Sequence, residues 1–275
     1  MAQLPLSLSL QNTPIALTVL SLGLGQESVA ILYATAHHPT FTHDFCPGRF
    51  LVLSTDTGDE HPETHATRAR ITAWCQNHHI EYVHITPDMG YHSPSWPSLR
   101  DFYRTHQTIG SKSYVKSCSD ALKIHPFYKF LGQWLTKEYG VSSYRKDGFF
   151  QFRQQHGLIR VLIGFAKSEE SRRADPTTAP KWRQQSVEMS YPLIDLGWTR
   201  ADCQQYIASL GYPVPSPSNC MLCPYMSKPE LLWLARNYPA DYADWVQLET
   251  AKRTRLHTWA LRTSASGDAK PFRWS

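Results

Sequence analysis

Short apolar runs alternate with polar, turn-rich stretches along this chain, and the runs come in two lengths. Residues 15–21 (IALTVLS) are apolar and rich in β-formers; a glycine-containing turn leads to 28–36 (SVAILYATA), which predicts a buried helix. The order repeats with a strand over 50–54, a loop over 55–62, a helix over 63–75 and a short strand over 81–86. Strand, loop and helix in regular alternation predict an α/β fold with a doubly wound parallel sheet. Residues 88–116 are rich in Pro, Ser, Tyr and His without clear periodicity, and are expected to form an irregular excursion, a candidate lid over the sheet's carboxyl edge. Beyond it, a helix is expected over 119–137, a buried strand over 159–165 and a polar, arginine-rich loop over 166–188. A helix over 199–210 and two more after the proline-rich stretch around Cys220 follow. The expected division is an α/β domain over 1–198 and a helical C-terminal extension over 199–275, with a tail at 264–275 that lacks periodicity.

Composition narrows the class. Of 275 residues, 41% are hydrophobic and 19% charged, and no apolar run approaches the roughly 18 residues that span a bilayer. No basic residue precedes the mild apolar stretch near the amino terminus, which is unlike a secretory signal. The expectation is a cytoplasmic protein with no membrane partner. The formal charge of +5 suits a polyanionic partner, with basic clusters at Arg145-Lys146, 181–183 and 252–255. In a chain read as cytosolic, the six cysteines point to metal or sulfur chemistry wherever they cluster.

Candidate chemistry begins at Ser21 to Ser28, which reads S-L-G-L-G-Q-E-S. Gly23 and Gly25 let backbone approach an anion, and the helix that follows presents free N–H groups and its positive dipole end. Ser21 and Ser28 add hydroxyls. The loop lacks the lysine of a Walker motif and the third glycine of a dinucleotide fingerprint.

Four further segments in order complete a pattern. They are Asp56-Thr57-Gly58-Asp59-Glu60-His61-Pro62-Glu63-Thr64, Cys118-Ser-Asp-Ala-Leu-Lys123-Ile-His-Pro126, Ala166-Lys-Ser-Glu169-Glu170-Ser171-Arg172-Arg173, and Tyr191-Pro-Leu-Ile-Asp-Leu-Gly-Trp198-Thr-Arg-Ala-Asp202. The last leads to Asn219-Cys220-Met-Leu-Cys223. With the loop, these segments resemble the phosphoadenosine phosphosulfate reductase-like branch of the PP-loop nucleotide α-hydrolases. In that branch the loop often reads S-F-G-G-G-K-D-S; here Leu24, Gln26 and Glu27 replace the middle glycine, the lysine and the aspartate.

The resemblance implies an ATP site in which Ser21, Gly23, Gly25, Gln26, Glu27 and Ser28, with Asp56, Thr57, Gly58 and Glu60, bind nucleotide, and Asp56, Lys123, Arg172 and Arg173 serve catalysis. Crowded carboxylates at Asp56, Asp59 and Glu60 are tolerable if Mg²⁺ shares them. Arg172 and Arg173 suit bidentate anion contacts.

Cys220 and Cys223 form a C-x-x-C pair spaced for a metal or for thiol exchange, and the family fold brings Cys118 to the same region. Three thiolates suit a [4Fe–4S] cluster with one open iron, with Cys46 or Cys203 as a fourth ligand in another version; zinc and a persulfide relay are the alternatives. Packing is the better reading of Cys203, and Cys75 is expected to be an ordinary buried thiol.

The branch contains sulfonucleotide reductases, which use a cysteine on a C-terminal segment, and ATP pyrophosphatases, which adenylate an oxygen that sulfur then displaces. The last cysteine here is Cys223, which favours the second. The layout looks closest to the ATP pyrophosphatases of DNA phosphorothioation systems. That resemblance implies a DNA phosphate acceptor, with a tRNA base as the other candidate, a cysteine desulfurase as sulfur donor, and other modification-system proteins as partners. A non-catalytic nucleotide-binding module is the reading from another class.

Overall fold

The computed structural model describes residues 13–111 and 117–266, apart from the side chains beyond 258. The amino-terminal stretch, the end of the expected lid and most of the tail lie outside the described residues. Strands β1 (Ile15–Ser21), β2 (Arg49–Thr55), β3 (Glu81–Ile85), β4 (Leu158–Ile163) and β5 (Val187–Ser190) form one sheet in the order β3-β2-β1-β4-β5. Every pairing is parallel, and Val19 of β1 lies between Leu51 and Val161. The chain winds outward from β1 to β3, crosses back, and winds outward again from β4 to β5. The fold is therefore the doubly wound α/β class expected, with the direction of winding reversing between β1 and β4.

Both faces of the sheet are buried, which is why its central strands read as nearly continuous apolar runs. Leu20, Val52 and Leu162 face a cluster that includes Val29, Ile31 and Leu32 of α1 (Gln26–His37), Phe41 of α2 (Phe41–Phe45) and Ile71 and Trp74 of α3 (Pro62–Asn77). Leu17, Val19, Leu51, Leu53 and Val161 face the other layer.

Between β3 and β4 lie α4 (Leu99–Thr105), α5 (His125–Tyr139) and α6 (Asp147–Gln155). Leu131, Trp134 and Leu135 of α5 and Phe149 and Phe152 of α6 fill that second core. A helical turn at Ser117–Ser119 and a π-helical stretch at Asp120–Ile124 lead directly into α5.

Several elements depart from the expectations. Helix α4 stands inside the segment read as irregular; Ser98 caps it by accepting from the Asp101 N–H at 3.0 Å. Its Leu99 and Tyr103 are buried with Leu122, Leu222 and Leu248, so this part of the expected lid is a packed wall. Helix α7 (Lys181–Ser186) and strand β5 occupy the stretch read as a polar loop. A four-residue edge strand, Val-Glu-Met-Ser, is too short and too mixed for periodicity to reveal it.

After α8 (Pro192–Asp195), helix α9 (Arg200–Ser209) places Cys203 and Ile207 in the cluster around α1. α10 (Lys228–Asn237) and α11 (Pro239–Ser266) complete the described chain. None of its helices is long and apolar enough to cross a membrane.

One part-buried ion cluster, built on the fully buried Asp59, fastens the last helix to the sheet. Arg100 of α4 meets Asp59 at 2.7 Å, Asp241 at 2.6 Å and Asp244 at 3.4 Å. Asp59, with a fully buried side chain, also accepts from the Leu222 N–H at 2.7 Å. Removing one member of such a cluster strands a buried charge. Arg100→Ala is expected to lower the unfolding free energy by about 3–5 kcal/mol, read by urea denaturation.

Candidate functional site

In open α/β sheets the crevice outside the carboxyl ends of the strands, where winding reverses, receives ligands. Here that crevice lies beyond Ser21 and Ile163. The loop 22–25 crosses it: the Leu22 N–H donates to Leu53 O at 2.8 Å, and Leu24 takes a left-handed φ of +58°. The turn takes a glycine-like conformation with leucine in place; burial of Leu24 in the α1 core, at 4% exposure, offsets a strain of about 1–2 kcal/mol. Gly25 caps α1, leaving its first N–H groups without intrahelical acceptors.

These groups border a cavity of about 360 Å³ to which Ser21, Gly23, Gly25, Gln26, Glu27 and Ser28 all contribute. Gly164, just past β4, packs so closely that a Cβ there would come within 2.8 Å of the Ser28 amide nitrogen. Sequence reading did not single it out, although a glycine directly after a buried strand is a signal for close approach.

The charged lining is evenly matched: Lys123, Arg172 and Arg200 stand opposite Glu27, Glu169 and Glu230. Arg172 pairs with Glu169 and lies over the Phe165 ring at 4.3 Å. Arg173, expected beside it, lies outside the cavity lining; it binds Asp195 at 3.1 Å and covers Tyr191. Adjacent residues in a 3₁₀ turn point in different directions, so one of the pair reaches the cavity. Arg200 was not anticipated as a site residue, although it lies within the quoted Trp198-Thr-Arg segment. Gln26 lines the cavity, but its amide is committed: it donates to Pro215 O at 2.8 Å and accepts from Gln204 at 2.8 Å.

Of the turn after β2, Thr57 lines a second cavity. Asp56 accepts from the Gly58 N–H at 2.7 Å, and Gly58 takes a φ of +69° against Ser98. Burial works against charge on Asp56, yet His84, 3.8 Å away, and the Gly58 N–H outweigh it and hold its carboxyl below the ordinary range. Asp59 departs from the expected shared metal site, because its carboxylate is spent on Arg100 and Leu222. Burial raises its pKa to about 6, against the opposing pull of Arg100. Burial likewise raises Glu60, with Lys123 acting in the other direction, and the Glu60 backbone forms an antiparallel bridge to Cys220.

The second cavity, about 70 Å³, gathers Cys118, Cys220 and Cys223 with Thr57 and Lys123. The Thr57 hydroxyl lies 3.2 Å from the Cys220 sulfur. Burial pushes the Cys220 thiol up, and Lys123 opposes that shift. Lys123 itself loses solvation, but the sulfur of Cys220 and the carboxylate of Glu60, with Cys223 and Cys118, raise its pKa above the ordinary lysine value. Lys123 sits in the π-helical stretch, a distortion frequent at functional sites, and together with Ser218 and Asn219 it lines both cavities.

Three thiols on one cavity suit an iron–sulfur or persulfide carrier. Among the described residues, however, no group of three or more His, Cys, Asp and Glu is placed to hold a metal ion. The fourth-ligand candidates stand apart. Cys46 is buried before β2, at the opposite end of the sheet, and Cys203 is packed in α9; burial pushes both up to about 12, as it does Cys75.

Compared with known proteins, the chain matches no family model, and no curated protein matches it significantly. Whether this cavity takes an anion is open to a direct check. Gly164→Ala is expected to weaken ATP binding by about tenfold or more, since it drives a methyl group against the α1 amide that would face phosphate. Equilibrium dialysis measures this, with an unchanged far-UV spectrum as the control for folding.

Proposed function

We propose that this protein is an ATP pyrophosphatase that adenylates an acceptor oxygen and so prepares it for sulfur insertion, with the DNA phosphate backbone as the acceptor. The observation that carries the reading is the position of Lys123 on the wall between an anion-type cavity and a three-cysteine cavity. A nucleotide whose phosphates meet the α1 N-terminus, Arg172 and Lys123 would bring its α-phosphorus close to the sulfur carriers. The acceptor oxygen forms a bond to that phosphorus, the bond to the β-phosphate oxygen breaks, and pyrophosphate leaves. Adenylate is then the leaving group that sulfur displaces.

The committed Asp59 leaves no carboxylate trio for Mg²⁺. The ion commonly needs only one or two carboxylates when phosphates supply further oxygens, and cavity residues such as Glu27 can provide them. Cys118, Cys220 and Cys223 are the residues assigned to sulfur, delivered as a persulfide by a cysteine desulfurase: the outer persulfide sulfur bonds to the activated centre as adenylate leaves, a second thiolate of the three then breaks the S–S bond, and a thiol reductant reopens the resulting disulfide. A [4Fe–4S] cluster on these three thiolates would supply an open iron for sulfur.

For a nucleic-acid acceptor, support comes from a basic and aromatic patch assembled from two separate segments. Lys146 lies 4.8 Å from the Trp182 ring, Arg145 covers Tyr144, which is 61% exposed, and Lys181 and Arg183 flank Trp182. Aromatic faces beside cations suit unpaired bases and phosphates. The 252–255 run serves differently: buried Lys252 donates to Ile109 O at 2.7 Å, and Arg255 donates to His106 O at 2.9 Å.

Pyrophosphate release from ATP, measured with DNA and a desulfurase present, is expected, and Lys123→Met should slow it by about 100-fold or more. ATP binding without release under any of these conditions would instead support a nucleotide-binding module. Protein purified without oxygen is expected to contain iron and acid-labile sulfide, both lost in Cys220→Ala; iron-free protein that accepts persulfide sulfur would assign the thiols to a relay.

A further inference from the structure

The phosphate cavity contains a cation that its loop does not supply. Where a lysine after the second glycine would reach phosphate, Gln26 has its amide tied to Gln204 and Pro215. The groove is gripped from α9, where Arg200 and Gln204 lie four residues apart on one helix face. Gln204 holds Gln26, and Arg200 holds Glu27, the neighbouring residue of the same helical turn.

The start of α9 is firmly placed, because Thr199 caps it by accepting from the Asp202 N–H, while the Asp202 carboxylate receives the Thr199 N–H at 2.8 Å. The Arg200 side chain is nonetheless 56% exposed, whereas that of Glu27 is 13% exposed. A fixed backbone with a half-exposed guanidinium at the cavity lets the group swing between partners.

We propose that Arg200 completes the anion-binding set of this cavity in place of the missing loop lysine, and that Glu27 holds the guanidinium until phosphate displaces it. The proposal rests on the nucleotide-site reading above and names a further binding residue for it. Glu27 occupies the first turn of α1, next to the same free N–H groups and the same positive dipole end that a phosphate would use. Carboxylate and phosphate therefore compete for the helix end and for Arg200 together. A polyphosphate offers more charge and more acceptor oxygens, and takes a guanidinium in bidentate fashion. Glu230 competes less, since its carboxylate accepts from Asn219 and from the Ser227 N–H at 2.6 Å.

Competition gives the two partners opposite signs, which a merely structural ion pair does not. The probes are ATP and inorganic pyrophosphate, each titrated calorimetrically with EDTA present so that no metal bridges to Glu27. Arg200→Gln is expected to weaken both by about tenfold, with Arg200→Lys recovering part of the loss. Glu27→Gln is expected to tighten both several-fold. Equal affinity of Arg200→Gln and the unaltered protein overturns the assignment, as does weakening by both substitutions or failure of the unaltered protein to bind either anion. Anion binding with the expected signs but no pyrophosphate release would remove the catalytic reading while leaving the role of Arg200 in place. Thermal unfolding of each variant separates loss of binding from loss of fold.

Discussion

The parallel pairing of β1 with β4 is the constraint on which the rest of the site depends. It sets Ser21 beside Ile163 and opens the crevice where the winding reverses. The loop after β1 and Gly164 after β4 must then share that crevice, and the fit is so close that position 164 has no room for a side chain. The α1 N-terminus, with its unpaired N–H groups, is thereby held over the sheet edge rather than exposed at the surface.

A second layer of contacts comes from the C-terminal helices. Gln204 and Arg200 grip the start of α1, and the Ser218 hydroxyl lies against Gly25, where a Cβ would come within 2.7 Å. Asp59 and Arg100 bind the turn after β2 to the Cys220 loop and to α11. Residues that sequence reading treated as ligand-binding, Gln26 and Asp59 among them, are the joints of this assembly. That use follows from burial: a fully buried carboxylate must be paired, and the nearest partners are a guanidinium and a backbone amide.

The two cavities share Lys123. Set beside Glu60 and the cysteines, the Lys123 ammonium stands on the wall of both, with Arg172 and Arg200 further along the larger one. An ammonium is a compact point charge able to serve several partners, which suits a position shared by two cavities.

The sequence alone determined the sheet class, four of its five strands, the glycine-containing turn after β1 and the C-x-x-C pair Cys220/Cys223. Those features rest on local signals: period, turn residues and short motifs read within a few positions. It also showed which residues were available for the site. The tertiary structure decided which of them face a ligand. Arg172 and Arg173 are neighbours in a motif, yet one lines the cavity and the other binds Asp195. Arg200 and Glu27 are separated by most of the chain and meet at the same helix end. The short β5 and α4 likewise emerged only in three dimensions, because their stability comes from packing partners far away in sequence, and no local pattern encodes a distant partner.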